Sequence, residues 1–333
     1  MDEMTDVYTV RRDKPPFPRI GWTLFAVLGI TTFLQFAGAA VVYLLAPQLL
    51  GTSWFIWALS FAPLYFVAVP IGYIIIKPVP KLLVPKHKMS FGKLIAFLAM
   101  SFAVMYIGNI IGILVNAGIG ALKGSTPTNP LEEFLTGSSI YIELLVVVTI
   151  APILEEYIFR KMLIDRIRVY GEGTAILVSG LMFGLFHGNL SQFFYAFGLG
   201  CLFAYIYLRT GKVRYTIILH AIINGFGVLM AQLVAKSANT GALNMNEENT
   251  EELINAVQSN LPQYIVTGLS GLAVLALFIS GVVLLIANRK KAVLYITPKE
   301  LPKQGRFKTV FVSWGMGLFV LLSVGLMVYT ALA

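Results

Sequence analysis

The chain has 333 residues, of which 57% are apolar and 12% charged, with a formal net charge of +9 and one cysteine. Soluble domains carry roughly a quarter charged residues, about twice this share, so most of the chain must meet lipid and not water. The positive balance does not point to nucleic acid, because no basic stretch is interleaved with aromatics, and Cys201 alone builds neither a disulfide framework nor a thiolate metal cluster.

In chain order, residues 1–19 form a basic arm carrying Arg11, Arg12, Lys14 and Arg19. Apolar runs of membrane-crossing length follow at 20–46, 54–76, 92–122, 139–159, 174–190, 192–208, 214–235, 263–287 and 309–331. The predicted fold class is therefore an all-α polytopic transmembrane bundle of about nine spans. Eight is the alternative, because the fifth and sixth runs are short and almost touch. Ala37-Gly38-Ala39 looks like a signal-peptidase site, but the apolar run continues to Ala46, which favours an uncleaved first helix. The runs group into N-terminal helices over 20–138, a core over 139–235, an external polar loop over 236–262 and C-terminal helices over 263–333.

Lys and Arg test this division, since alternate loops should hold them. The arm and segments 77–93, 160–168, 209–214 and 289–308 contain 23 of the 25. Lys123 and Lys236 fall on the other side, with the acidic run Glu247, Glu248, Glu251 and Glu252. This places the N-terminus in the cytoplasm, in a protein expected in the plasma membrane. No Gly-rich phosphate loop or dinucleotide fingerprint follows a strand, so no nucleotide is expected.

Ionisable groups inside spans are costly and are functional candidates by default. They gather between 155 and 224: Glu155, Glu156 and Arg160 on the fourth helix, His187 on the fifth, His220 and Asn224 on the seventh. The remaining histidine, His87, sits between Lys86 and Lys88 and reads as a solvated charge run. Four-residue spacing puts Glu156 and Arg160 on one helical face as a pair, while Glu155 points about 100° away and is free to face a cavity. Pro152 removes a backbone donor just before them and predicts a kink. Phe183 with His187, and His220 with Asn224, share faces by the same spacing. Each pair alone would serve as interhelical glue. Gly180, Gly184 and Gly188 form a small-residue seam beside His187.

Glu155-Glu156-x-x-x-Arg160, Phe183-x-x-x-His187 and His220-x-x-x-Asn224 together resemble the three motifs of the CAAX protease and bacteriocin-processing (CPBP, or Abi) family of intramembrane proteases. The stretch from Phe197-Gly198-Leu199-Gly200 through Tyr207-Leu208-Arg209-Thr210-Gly211 to His220 is similar too, and the likeness covers about 139–230. The resemblance implies hydrolysis of peptide bonds in membrane-associated or lipidated substrates. Glu155 and His187 would activate a water, His220 and Asn224 would stabilise the oxyanion, and Glu156, Arg160 and Phe183 would give structural support. No cofactor is favoured. A zinc version with Glu155, His187 and His220 as ligands stays open, although the His-Glu-x-x-His helix signature is missing. For Glu155 and His187 to meet at one depth, the fourth helix must run on to about Tyr170. The competing classes are a non-catalytic scaffold or bacteriocin-immunity-type protein and a proton-coupled transporter, the latter lacking the expected repeated halves.

Overall fold

The computed structural model describes residues 15–125, 139–238, 258–297 and 299–332, and no strand occurs among them. Nine principal helices follow one another among these residues: α1 (Phe17–Leu45), α2 (Ser53–Ile76), α3 (Phe91–Lys123), α4 (140–170), α5 (Glu172–Phe186), α6 (Leu190–Thr210), α7 (Val213–Ala238), α8 (Leu261–Asn288) and α9 (Trp314–Leu332). The arm 1–14 and most of the expected external loop, 239–257, lie outside the described residues.

Among the described residues seven helices are long and apolar enough to cross a membrane by length and composition, α4 and α5 lying outside that set. The nine helices nevertheless stand at the nine expected apolar runs, and α4, over residues 140–170, reaches the end where the basic segments meet. With 15 residues, α5 reaches only ~22 Å at 1.5 Å per residue, short of a hydrocarbon core of about 30 Å. Its apolar pattern stops at Phe186 because Gly188 adopts φ 61° and Asn189 caps the next helix, its Oδ1 accepting from Gln192 N at 2.8 Å. The last span also starts later than its apolar run. Residues Arg306–Phe311 form a separate short helix, which ends at Val312 before α9 begins.

α4 runs from 140 to 170 with two π turns in it, Leu144–Ile150 and Tyr157–Met162. A third π turn, Pro63–Ala68, lies in α2. Prolines stand at two of the three: Pro63 opens the one in α2, and buried Pro152 follows the first in α4. A proline supplies no N–H and crowds the carbonyl four residues back, and a widened turn absorbs both effects without breaking the rod. The glycine crossing between α5 and α6 sets their separation. A Cβ on Gly180 would strike Cys201, and one on Gly200 would stand 2.8 Å from Gly180 Cα. The seam therefore works at Gly180 and Gly184, whereas Gly188 has left the helix.

α1 packs along α9, α3 lies between α6 and α8, and α7 leans on α4. Large apolar side chains such as Phe33, Phe66, Leu114 and Leu269 remain exposed on the outside, as a lipid-facing bundle requires. The four basic segments meet at one end. Leu82 N donates to Asp165 O at 2.6 Å, His87 N to Thr210 O at 2.8 Å, and Leu301 N to Tyr170 O at 3.1 Å. His87 itself is exposed, as its lysine neighbours suggest. At the opposite end Lys123 Nζ donates to Leu332 O at 2.6 Å, tying α3 to α9.

Candidate active site

The long α4 and the short α5 form a hairpin about Gly171, whose φ of 119° suits only glycine. Folding back at that point sets the Glu155–Arg160 stretch beside the second half of α5. Arg160 confirms the register: its Nη1 donates to Ser179 Oγ at 2.6 Å, and Ser179 Oγ donates to Phe159 O at 2.9 Å. Depth matching through an extended fourth helix is thus realised.

Glu156 and Arg160 form the expected pair, with Nε to Oε2 at 2.9 Å and Nη2 to Oε1 at 3.2 Å, both side chains fully buried. The guanidinium lies 5.1 Å from the Phe183 ring centroid and 5.9 Å from that of Phe203, which adds cation–π attraction to the ion pair. Glu155 points elsewhere and keeps a fifth of its side chain accessible.

His220 joins the two carboxylates. Its Nδ1 is 3.2 Å from Glu156 Oε1 and its Nε2 is 3.8 Å from Glu155 Oε2. A carboxylate serving as the counter-ion of arginine can only accept, so Nδ1 carries the hydrogen, and in the neutral ring Nε2 turns a lone pair towards Glu155. Two acceptors do not bond directly, so a proton on either group, or a water donating to both, is what this 3.8 Å gap suits. His187 follows the same logic. Its Nδ1 is 2.8 Å from Phe183 O, a carbonyl that can only accept, which leaves Nε2 as an acceptor in the neutral ring. Both imidazoles pack edge to face on Phe183, with centroids at 4.9 Å for His187 and 5.8 Å for His220. Phe183 thereby orients the two rings.

Asn224, one turn beyond His220, uses its amide to donate to Val147 O at 2.9 Å, on the first π turn of α4. Ser179 plays the matching part at the second. Side chains from α7 and α5 thus hold carbonyls where the α4 ladder is displaced.

The structure brings together Glu155, Glu156, Arg160, Phe183 and His220, with His187 joined through the Phe183 ring. No three His, Cys, Asp or Glu side chains among the described residues are grouped so as to hold a metal ion. Glu155, His187 and His220 are accordingly not gathered as a zinc ligand set in this arrangement. A carboxylate facing an imidazole beside a partly accessible space is the equipment of general acid and base chemistry.

Sequence reasoning missed Ser179, although Ser179, Phe183 and His187 continue a single four-residue spacing. It also missed two tyrosines. Tyr195 Oη accepts from Gln192 Nε2 at 2.9 Å, and Gln192 is in turn bonded to Asn189. Tyr195 and Tyr65 both lie within electrostatic reach of Glu155.

Residues 137–226, which hold every group just described except Tyr65, match the family model described as Type II CAAX prenyl endopeptidase Rce1-like. This segment belongs to the CPBP family of membrane proteases. Two curated relatives agree with the CPBP assignment. The Staphylococcus aureus protein named "Membrane-embedded CAAX protease MroQ" is 30% identical over 148 residues, covering 42% of this chain and 59% of that protein. The Bacillus subtilis protein named "Putative membrane peptidase YdiL" is 28% identical over 163 residues, covering 47% of this chain and 65% of that protein. The chain thus spans less than two thirds of the length of either CPBP relative. No solved structure matches it. With seven long apolar helices among the described residues, the chain is an integral membrane protein.

Proposed function

We propose that the chain is an intramembrane endopeptidase that hydrolyses peptide bonds of membrane-associated or lipidated substrates, using Glu155 to activate a water. The observation that carries this reading is the unequal treatment of two adjacent carboxylates. Glu156 is consumed by Arg160 and His220 Nδ1, while Glu155 stays partly accessible and faces His220 Nε2.

In the proposed reaction Glu155 takes one proton from water as the water oxygen bonds to the scissile carbonyl carbon, and the carbonyl π pair moves onto its oxygen. When the carbon–oxygen double bond re-forms, the carbon–nitrogen bond breaks and the proton on Glu155 passes to the leaving nitrogen. His187 Nε2 is an acceptor for the second proton of the water. His220 receives or returns a proton at Nε2, and its donation to the oxyanion requires the doubly protonated ring, since Nδ1 is already committed to Glu156. Asn224 has one amide hydrogen beyond that given to Val147. By the positive-inside rule the basic end faces the cytoplasm, which puts the N-terminus there and the site within reach of peptides entering from that side.

Glu155→Gln keeps the side chain's shape and removes the base. Mapping new peptide ends in the membrane proteome of cells expressing parent or variant at equal levels should show cleavage products lost in the variant. Unchanged products would overturn the assignment.

A further inference from the structure

Outside the CPBP segment stands a polar group with no evident structural use, the hydroxyl of Tyr65 on α2. That oxygen is buried and has no hydrogen-bond partner among the described residues. Leaving a buried hydroxyl unpaired is costly, and most such groups in folded proteins are satisfied. The ring is not free to swing away. Tyr65 stacks on Phe61 with centroids 5.8 Å apart and planes at 23°, and Phe61 stacks on Trp57 at 5.4 Å and 14°. The three aromatics recur every four residues and line one face of α2, with Tyr65 inside its π turn, a distortion that often marks functional positions. The hydroxyl also lies near enough to Glu155 for charge on one to be felt at the other.

A second observation bears on the use of this donor. The other polar groups of the site are each partly committed: Asn224 gives one amide hydrogen to Val147 O, Tyr195 Oη accepts from Gln192, and His220 Nδ1 is held by Glu156. Tyr65 Oη, by contrast, neither donates nor accepts a hydrogen bond among the described residues, so both its capacities are open to a substrate.

We propose that Tyr65 is a catalytic residue whose O–H donates a hydrogen bond to the scissile carbonyl oxygen as negative charge develops on it. The proton stays on tyrosine throughout, so the step adds a hydrogen bond and no transfer. The inference rests on the proteolytic reading of Glu155 and adds to it an oxyanion donor from a helix outside the CPBP match.

The test compares parent, Glu155→Gln and Tyr65→Phe, expressed at equal levels, by mapping new peptide ends in the membrane proteome and measuring thermal unfolding of each purified protein. Removing one oxyanion donor lowers rate by about 100- to 1000-fold. Ends that depend on Glu155 should therefore fall at least about tenfold in Tyr65→Phe, while its unfolding temperature stays at or above the parent's, because the lost hydroxyl has no partner. On a peptide taken from the mapped ends, kcat should fall with KM little changed. Parental abundance of those ends in Tyr65→Phe would overturn the proposal, and so would a destabilised Tyr65→Phe protein. If no end depends on Glu155, the proteolytic reading itself fails and this inference falls with it.

Discussion

His220 is gripped from both sides of its ring, and the two grips differ. Nδ1 meets a carboxylate already fixed by Arg160, while Nε2 meets one that is free. Buried charges of this kind tolerate removal of the pair better than removal of one member. Glu156→Ala alone leaves the Arg160 guanidinium without its counter-ion in a fully buried place and should cost about 3–5 kcal/mol, read as lost folded yield and a lower unfolding temperature. The double variant Glu156→Leu/Arg160→Met should recover much of that stability and still lack activity, because His220 loses its anchor. A well-folded Glu156→Ala protein would contradict the structural role. The spacing of Glu155, Glu156 and Arg160 made this division readable in the sequence, because neighbouring positions on a helix point about 100° apart and only one of two adjacent carboxylates can meet the arginine.

At the scale of elements, hydropathy reads length well and register poorly. The ends of α1, α2, α3, α6 and α8 fall within a few residues of the apolar runs, since a lipid boundary is written in composition. The end of α5 was overrun because His187, Gly188 and Asn189 count as little in a hydropathy window, although a glycine at positive φ followed by an asparagine cap is a stop signal in backbone terms. The π turns left no trace beyond Pro63 and Pro152, because a one-residue slip of the ladder changes no composition. Tyr65 was invisible for a related reason: nothing local to α2 states which helix it will face. The α5–α6 crossing is open to a direct test. Gly180→Leu should force the helices apart and lower the unfolding temperature, overpacking costing about 1–3 kcal/mol or more, since the obstruction includes Cys201 backbone. Gly118→Ala, inside α3 where a Cβ meets nothing within 4 Å, should leave stability equal or slightly raised. Equal behaviour of the two variants would refute the crossing.

For the molecule as a whole, the alternation of basic loops finds a physical counterpart in the hydrogen bonds that join segments 77–90, 165–171, 210–212 and 299–301 at one end, with Lys123 and Leu332 joined at the other. In a background with Cys201 replaced by alanine, cysteines at positions 81 and 299 should react with a membrane-impermeant reagent only after cells are opened, and one at position 123 in intact cells. The reverse pattern would invert the proposed orientation. The interior holds a further lesson in the sum of its charges. Glu155 and Glu156 stand against Arg160, so with both carboxylates ionised and His220 neutral the cluster carries one unbalanced negative charge, which a single additional proton cancels. Breaking an amide near neutrality yields an acid anion and an ammonium together, with no net uptake or release of protons. A chamber able to lend and reclaim one proton is therefore sufficient for a whole turnover, without a wire to bulk water.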